Sequence, residues 1–256
     1  MKLLYSLFGL ILYGMYSIVK SYGWSIILFA VFAKVITLPF KIKSTRGTQM
    51  MAKLQPEISM IQEKYKNNKE KQASETWKIY EKYNYNPMSS CLPLLLQMPI
   101  LIGLFGVIRQ PETYVFKNMP ISQVSMSFLW INDLTKSAMS LAKTLGFVPE
   151  TFYSMILAVL IVITMYWQIK QNPQTGDAKT QSMMGSTNAI MIMMFGYSSL
   201  IVSQGLALYW FATTLLQVIQ MKLITKFMPV ELEIDTNKYK MEVNQGGKKK
   251  KRHSKR

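Results

Sequence analysis

The stretch "SIILFAVFAKVITLPF", Ser25 to Phe40, decides how the chain is read. It is apolar enough to cross a bilayer, yet a lysine, Lys34, stands inside it. A lysine near the centre of a helix in lipid costs roughly 2.5–3.5 kcal/mol on insertion scales. A charge kept at that cost calls for a reason, and the rest of the sequence narrows what the reason is.

Half of the 256 residues are hydrophobic, and the net charge is +17. The two features are segregated: long apolar runs alternate with short lysine-rich ones, the pattern of a polytopic membrane protein. The single cysteine, Cys91, excludes an intramolecular disulfide and a cysteine metal cluster. The single histidine, His253, lies in a basic tail, which leaves zinc sites and histidine-based catalysis without residues in the body of the chain. No cofactor, metal or small-molecule substrate is expected.

Working outward from Lys34, five apolar segments each approach the ~17–25 residues a spanning helix needs. They are 22–40, 91–108, 151–169, 187–203 and 206–224, the last two separated by a tight turn. Pro93 and Pro99 interrupt the second, which neighbouring helices in lipid tolerate. Residues 1–21 read as a signal peptide, a sixth span or a surface helix. Ser6, Gly9, Tyr13, Tyr16, Ser17 and Lys20 recur at spacings of three or four, which favours an amphipathic helix at the interface.

Between the spans lie 41–90, 109–150 and 170–186, and 225–256 forms the tail. In 41–90, Met50, Leu54, Ile58, Ile61 and Tyr65 repeat at helical spacing. "NNKEK" (Asn67 to Lys71) then breaks the pattern, and Ala73, Trp77 and Tyr80 resume it. That predicts a helical hairpin. The segment 109–150 predicts a short interfacial helix with Trp130 as an anchor. Lysines and arginines number 23 on the side of the hairpin, the 170–186 loop and the tail, against six on the other. The positive-inside rule places the first side in the cytoplasm, with the C-terminus, and the start of span one outside. The expected fold is an all-α membrane protein: a five-transmembrane-helix core, a cytoplasmic helical hairpin and an N-terminal interfacial amphipathic helix.

All 13 acidic residues fall outside the five apolar segments, so Lys34 has no carboxylate in the membrane to pair with. Three states of that lysine remain: snorkelling to headgroups, neutrality, or solvation in a wet cavity. Thr37, Gln97, Thr164, Gln168, Thr213, Thr214 and Gln217 provide polar side chains for such a cavity. One unpaired cation among neutral polar groups is not a proton relay, which needs titratable chains. It suits a negative or polar guest: a carboxylate ligand, a lipid phosphate or a polar piece of polypeptide. A methionine cluster (Met183, Met184, Met191, Met193, Met194) suits a surface that accepts varied apolar partners, or plain lipid.

The residues that bracket Lys34 carry a resemblance. "YGWSIILFAVFAKVITLPF" (Tyr22 to Phe40), "LQPEI" (Leu54 to Ile58), "YNPMSSCLPLLLQMPILIGLF" (Tyr85 to Phe105), "LWINDL" (Leu129 to Leu134) and "GLALYW" (Gly205 to Trp210) follow in order. The chain resembles the YidC family of membrane protein insertases, with its mitochondrial and chloroplast relatives. The resemblance implies a hydrophilic groove open to cytoplasm and lipid and closed outside. Lys34 takes the place of the family's basic groove residue, and Gln97 matches a groove glutamine. Tyr209 and Trp210 stand where the last span meets the emerging client; Thr37 and Thr213 join them in the expected groove. The family more often has arginine at the Lys34 position. Its Gly-Gly is here Ser89-Ser90, and its turn before the last span is here Val202 to Gly205. The short chain resembles the Gram-positive-type form, without a lipoprotein motif or large extracellular domain.

The expected function is that of an insertase and chaperone in the bacterial cell membrane, with no enzymatic step. Nascent membrane proteins are its clients, and the Sec translocon is a further partner. The tail residues Lys248, Lys249, Lys250, Lys251, Arg252, Lys255 and Arg256 suit phosphate contacts, with ribosomal RNA or with anionic lipids. The alternative is a small transporter or channel for an anionic solute, which inverted repeats would support; none is visible in the sequence.

Overall fold

The computed structural model describes residues 2–90, 92–117, 119–146, 148–171 and 178–231. The described chain is built of helices, with two isolated bridges, Phe128 to Ile131 and Ser137 to Ser203. The basic tail residues from Lys248 to Arg256, and Cys91, lie outside the described residues.

Helix α1 (Lys2–Val19) precedes α2 (Tyr22–Ile36). The span expected over 22–40 is shared by two helices: α3 (Leu38–Lys64) leaves α2 at a bend of 62°. The cause is local. Pro39 sits in the first turn of α3 and has no N–H to return to the carbonyl of Val35, so the ladder breaks at Thr37. The Thr37 hydroxyl donates to the Ala33 carbonyl at 2.7 Å and closes the last turn of α2. Leu38, Pro39 and Phe40 therefore belong to the second helix.

Helices α3 and α4 (Lys69–Lys82) pack through Leu54, Ile58, Ile61 and Ile79, with Tyr85. Asn68 caps α4, its side-chain oxygen accepting from the Lys71 N–H at 3.0 Å. The fully buried Glu57 carboxylate accepts from the Tyr83 hydroxyl at 3.0 Å and lies 3.9 Å from Lys82 Nζ.

Helix α5 (Leu92–Arg109) runs through Pro99 without stopping, and a short α6 (Pro111–Tyr114) follows. Helix α7 (Ala138–Leu145) starts with a Ser137/Ser140 capping box. Helices α8 (Pro149–Gln171) and α9 (Ala178–Ile201) both outrun their apolar segments. The expected loop 170–186 is thereby helix in its described residues, and residues 187–201 of the segment expected at 187–203 are part of a 24-residue helix. Hydropathy marks where a helix is apolar, whereas a helix ends where capping or a breaker stops it. Helix α10 (Gln204–Phe227) begins against the 109–150 segment: Gln204 N–H donates to the Lys136 carbonyl at 2.8 Å and Gly205 N–H to the Leu134 carbonyl at 2.7 Å.

Among the described residues, three helices, α1, α8 and α10, are long and apolar enough to cross a membrane, and the bent α2–α3 pair is a fourth when it is taken as one span. Helix α5 is a shorter apolar helix. The polar stripe expected on α1 divides: Gly9 and Tyr16 face inward, while Tyr13 and Ser17 face outward beside Leu3, Leu7, Leu10 and Ile18. Helix α1 packs on α2 and α5, with Phe8 against Phe29 at 5.3 Å between ring centroids. Tyr5 meets Tyr114 at 5.3 Å, and Tyr16 meets Phe116 at 4.9 Å.

The core joins α2, α5 and α10 through Ile26, Leu104, Ile108, Leu206 and Tyr209, closed at one end by Phe116, Phe128, Ile131 and Leu134. In lipid, apolar side chains gain little by leaving the solvent, so close packing holds helices together. Gly205 shows how close. A Cβ there would stand 2.9 Å from Ile108 Cγ2, 3.1 Å from the Leu134 carbonyl oxygen and 3.2 Å from Ile26 Cδ1. Three elements meet at that glycine, at the end of the bundle opposite the α3–α4 hairpin.

Candidate functional site

At the hairpin end the same helices part and leave a cavity of about 360 Å³. Lys34 lines it from the last turn of α2. Its ammonium donates to Gln217 Oε1 at 3.0 Å. One turn further along α10, Gln220 Nε2 donates to the Lys34 backbone carbonyl at 3.2 Å. That carbonyl is among the last of α2, where a helix lacks its own donors, and the break at Thr37 explains why an outside amide is needed. Lys34 is thus held at both ends by two glutamines spaced i, i+3 on one face of α10. The sequence expectation that this lysine has no internal partner holds for carboxylates only; its partner is a neutral amide.

The expected groove residues Thr37, Gln97, Trp210 and Thr213 all line this cavity, as do Gln168, Thr214 and Gln217. Tyr209 does not. It is fully buried, and its hydroxyl accepts from Gln97 Nε2 at 3.2 Å, so it orients the glutamine from behind. Trp210 packs edge-on against Phe195 of α9 at 5.4 Å. The Thr213 hydroxyl donates to the Tyr209 carbonyl at 2.8 Å and Thr214 to the Trp210 carbonyl at 2.9 Å. The Thr214 and Thr164 hydroxyls also meet each other at 3.1 Å, tying α10 to α8.

Sequence reasoning missed a second cation. Lys41 lines the same cavity, with Ser44, Thr45 and Thr48, because the bend at Thr37 folds the start of α3 back across the opening. Counting Lys41 as a loop residue hid it. The signal was present: 41, 44, 45 and 48 share one helical face, and Pro39 marks the bend. Gln220 also went unnoticed. The wall is two-sided. Helices α2, α3 and α10 bring the two cations, the hydroxyls and two amides, while α5, α8 and α9 add Leu101, Ile161, Met165, Met191 and Phe195 together with the amides Gln97 and Gln168. No acid stands among the lining residues, and no group of His, Cys, Asp and Glu that could hold a metal occurs among the described residues. Such a cavity can attract an anionic or hydrogen-bonding chain on one side and pass an apolar one on the other.

The sequence pattern of the family described as "60Kd inner membrane protein" matches residues 14–231. A protein of Clostridium tetani named "Membrane protein insertase YidC" is 38% identical over 208 residues, 80% of this chain and 82% of the relative. One of the same name from Clostridium perfringens is 37% identical over 199 residues, 78% of this chain and 76% of the relative. Among solved structures, "Active YidC insertase crystal structure with the first transmembrane domain resolved" superposes with a TM-score of 0.59 at 27% identity. That match covers 84% of this chain and 44% of the solved one, so this chain spans less than half the length of that protein.

Proposed function

The chain belongs to the YidC family of membrane protein insertases and is a multi-pass bacterial membrane protein, and from that premise we propose that its cavity is the groove through which clients pass. The polar outer segment of a nascent chain enters from the cytoplasmic side, where Lys34 attracts its acidic groups. The apolar segment of the client then leaves sideways along Trp210 and the apolar side of the cavity. Burial of the client's apolar segment, at ~0.8 kcal/mol per CH₂, drives the transfer. The groove lowers the barrier for the polar part, with no chemical step and no cofactor. The observation that carries this reading is the Lys34–Gln217 contact: a cation held by a neutral amide in a cavity lined by no acid.

The span assignment belongs to the same proposal: α2, α5, α8, α9 and α10 cross the membrane, and α1 lies at the outer interface. In support of the latter, Tyr5 and Tyr16, about 16 Å apart along a helix, both meet the short stretch Tyr114–Phe116 beyond the outer end of α5. The span α2 has 15 residues, ~22 Å of rise, shorter than the ~30 Å hydrocarbon core; the bilayer would thin around it. The lysine and arginine asymmetry supports a cytoplasmic hairpin and C-terminus. The ribosome, the Sec translocon and anionic lipids are the partners we assign to the basic hairpin side and tail.

The test is complementation of an insertase-depleted strain. Lys34→Arg is expected to sustain insertion and Lys34→Glu to lose it for clients with acidic outer segments. Full activity of Lys34→Glu on those clients would remove the electrostatic role.

A further inference from the structure

The groove reading uses Lys34 and leaves Lys41 without a task. The two ammonium groups line one cavity and repel each other. Neither has a carboxylate among the described lining residues, so two like charges share a space that no described acid neutralises. Next to Lys41 on α3, Thr45 is 1% exposed and its hydroxyl has no hydrogen-bond partner. Across the opening, Gln220 Oε1 is likewise buried without a partner, and its identity as the oxygen follows from the amide nitrogen donating to Lys34. Buried polar groups are normally satisfied, and each specific exception calls for an explanation, of which a bound group is one.

The missing ligand can be read from these groups. Two lysines and a threonine hydroxyl call for an anion with several acceptor oxygens, which phosphate supplies. Gln220 Oε1 calls for a donor, which a phosphodiester lacks and a hydroxylated headgroup has. The apolar side of the cavity, with Met165, Met191 and Phe195, calls for a hydrocarbon chain beside the anion; a free phosphate would leave it unused. We propose that the cavity mouth at Lys41, Thr45 and Gln220 holds the headgroup of an anionic, hydroxylated phospholipid such as phosphatidylglycerol, with an acyl chain along α8 and α9. A resident lipid, a monoanion, offsets one of the two lysine charges while no client is present, and an acidic client displaces it. The inference rests on the groove reading for its client step, whereas lipid retention is measured without insertion, so the two fail separately.

The experiment is native mass spectrometry of the purified full chain in detergent, after incubation with equal amounts of phosphatidylglycerol and phosphatidylcholine. The expected result is one retained phosphatidylglycerol at tenfold or greater preference. Lys41→Gln and Thr45→Val should each lower retention at least fivefold, while Lys43→Gln, on the exposed face of α3, leaves it unchanged. Should Lys41→Gln fail to fold, Thr45→Val and Lys41→Arg carry the test: the first loses the lipid and the second keeps it. Equal retention of both lipids, or retention unaffected in Thr45→Val, overturns the proposal. Displacement of the lipid by glycerol phosphate at equal concentration also overturns it, because the site would then take a soluble phosphate without using the apolar wall. Displacement by an acidic client peptide, with a neutral peptide inert, supports it; failure of the acidic peptide to displace the lipid overturns the competition.

Discussion

Gln217→Glu turns the neutral partner of Lys34 into a charged one at almost the same size. In the structure the amide oxygen lies 3.0 Å from the ammonium, so the new carboxylate would sit in contact with it. Two opposite charges 4 Å apart attract by on the order of 4 kcal/mol at an effective dielectric of 20. A client carboxylate would then meet a lysine already neutralised. If the cavity works by attraction, losing a term of that size lowers the local affinity for an acidic segment by up to about a thousandfold. Lys41 remains in the cavity and softens the loss, so an observed drop of ten- to a hundredfold fits the geometry better. The assay is insertion into proteoliposomes of two matched clients, one with acidic and one with neutral outer segments. Gln217→Glu is expected to impair only the acidic client and to leave melting in detergent unchanged or raised. Equal insertion of the acidic client by Gln217→Glu and the unaltered chain would refute the reasoning, since the perturbation acts on Lys34 without removing it.

Other substitutions test the frame around the cavity. Gly205→Leu forces a side chain between Ile108, Ile26 and the Leu134 carbonyl; overpacking of this kind costs typically 1–3 kcal/mol, and a lower melting temperature in detergent is expected. Tyr83→Phe takes the hydroxyl donor from the fully buried Glu57 carboxylate, a hydrogen bond to a charged group worth about 1.5–3 kcal/mol, and amide exchange in α4 should quicken while that in α10 does not. Deleting residues 246–256 is expected to weaken co-sedimentation with ribosomes, most strongly at low salt and less as salt rises, because lysine–phosphate contacts release counterions and salt already weakens them in the unaltered chain. Unchanged co-sedimentation would assign the tail to lipid.

Much of this was legible in the sequence because membranes impose long apolar segments and expel acids from them. Lys34, Thr37, Gln97 and Thr213 were recognisable as polar residues in apolar surroundings, and they do line one cavity. Less legible was anything set by a bend. Pro39 announced that the helix would break, yet not that the break would swing Lys41 and Thr45 into the opening. The family resemblance put Tyr209 together with Trp210 at the client contact; adjacent residues on a helix point about 100° apart, and only Trp210 reaches the cavity. The partner of Lys34 was sought among acids, where buried lysines usually find one. A glutamine on α10 took that place, and only the packing of α2 on α10 reveals it.

The central claim is that a client's polar segment occupies this cavity through Lys34, and photo-crosslinking to a stalled nascent chain addresses it most directly. Photoreactive residues would replace Thr37 and Trp210 on the cavity wall, and Val159, an exposed position of α8, as the control. The account predicts adducts between position 37 and the acidic outer segment that disappear in Lys34→Glu, with adducts between position 210 and the apolar segment that persist. Adducts to the acidic segment that form equally at position 159, or that survive Lys34→Glu at position 37, would contradict it.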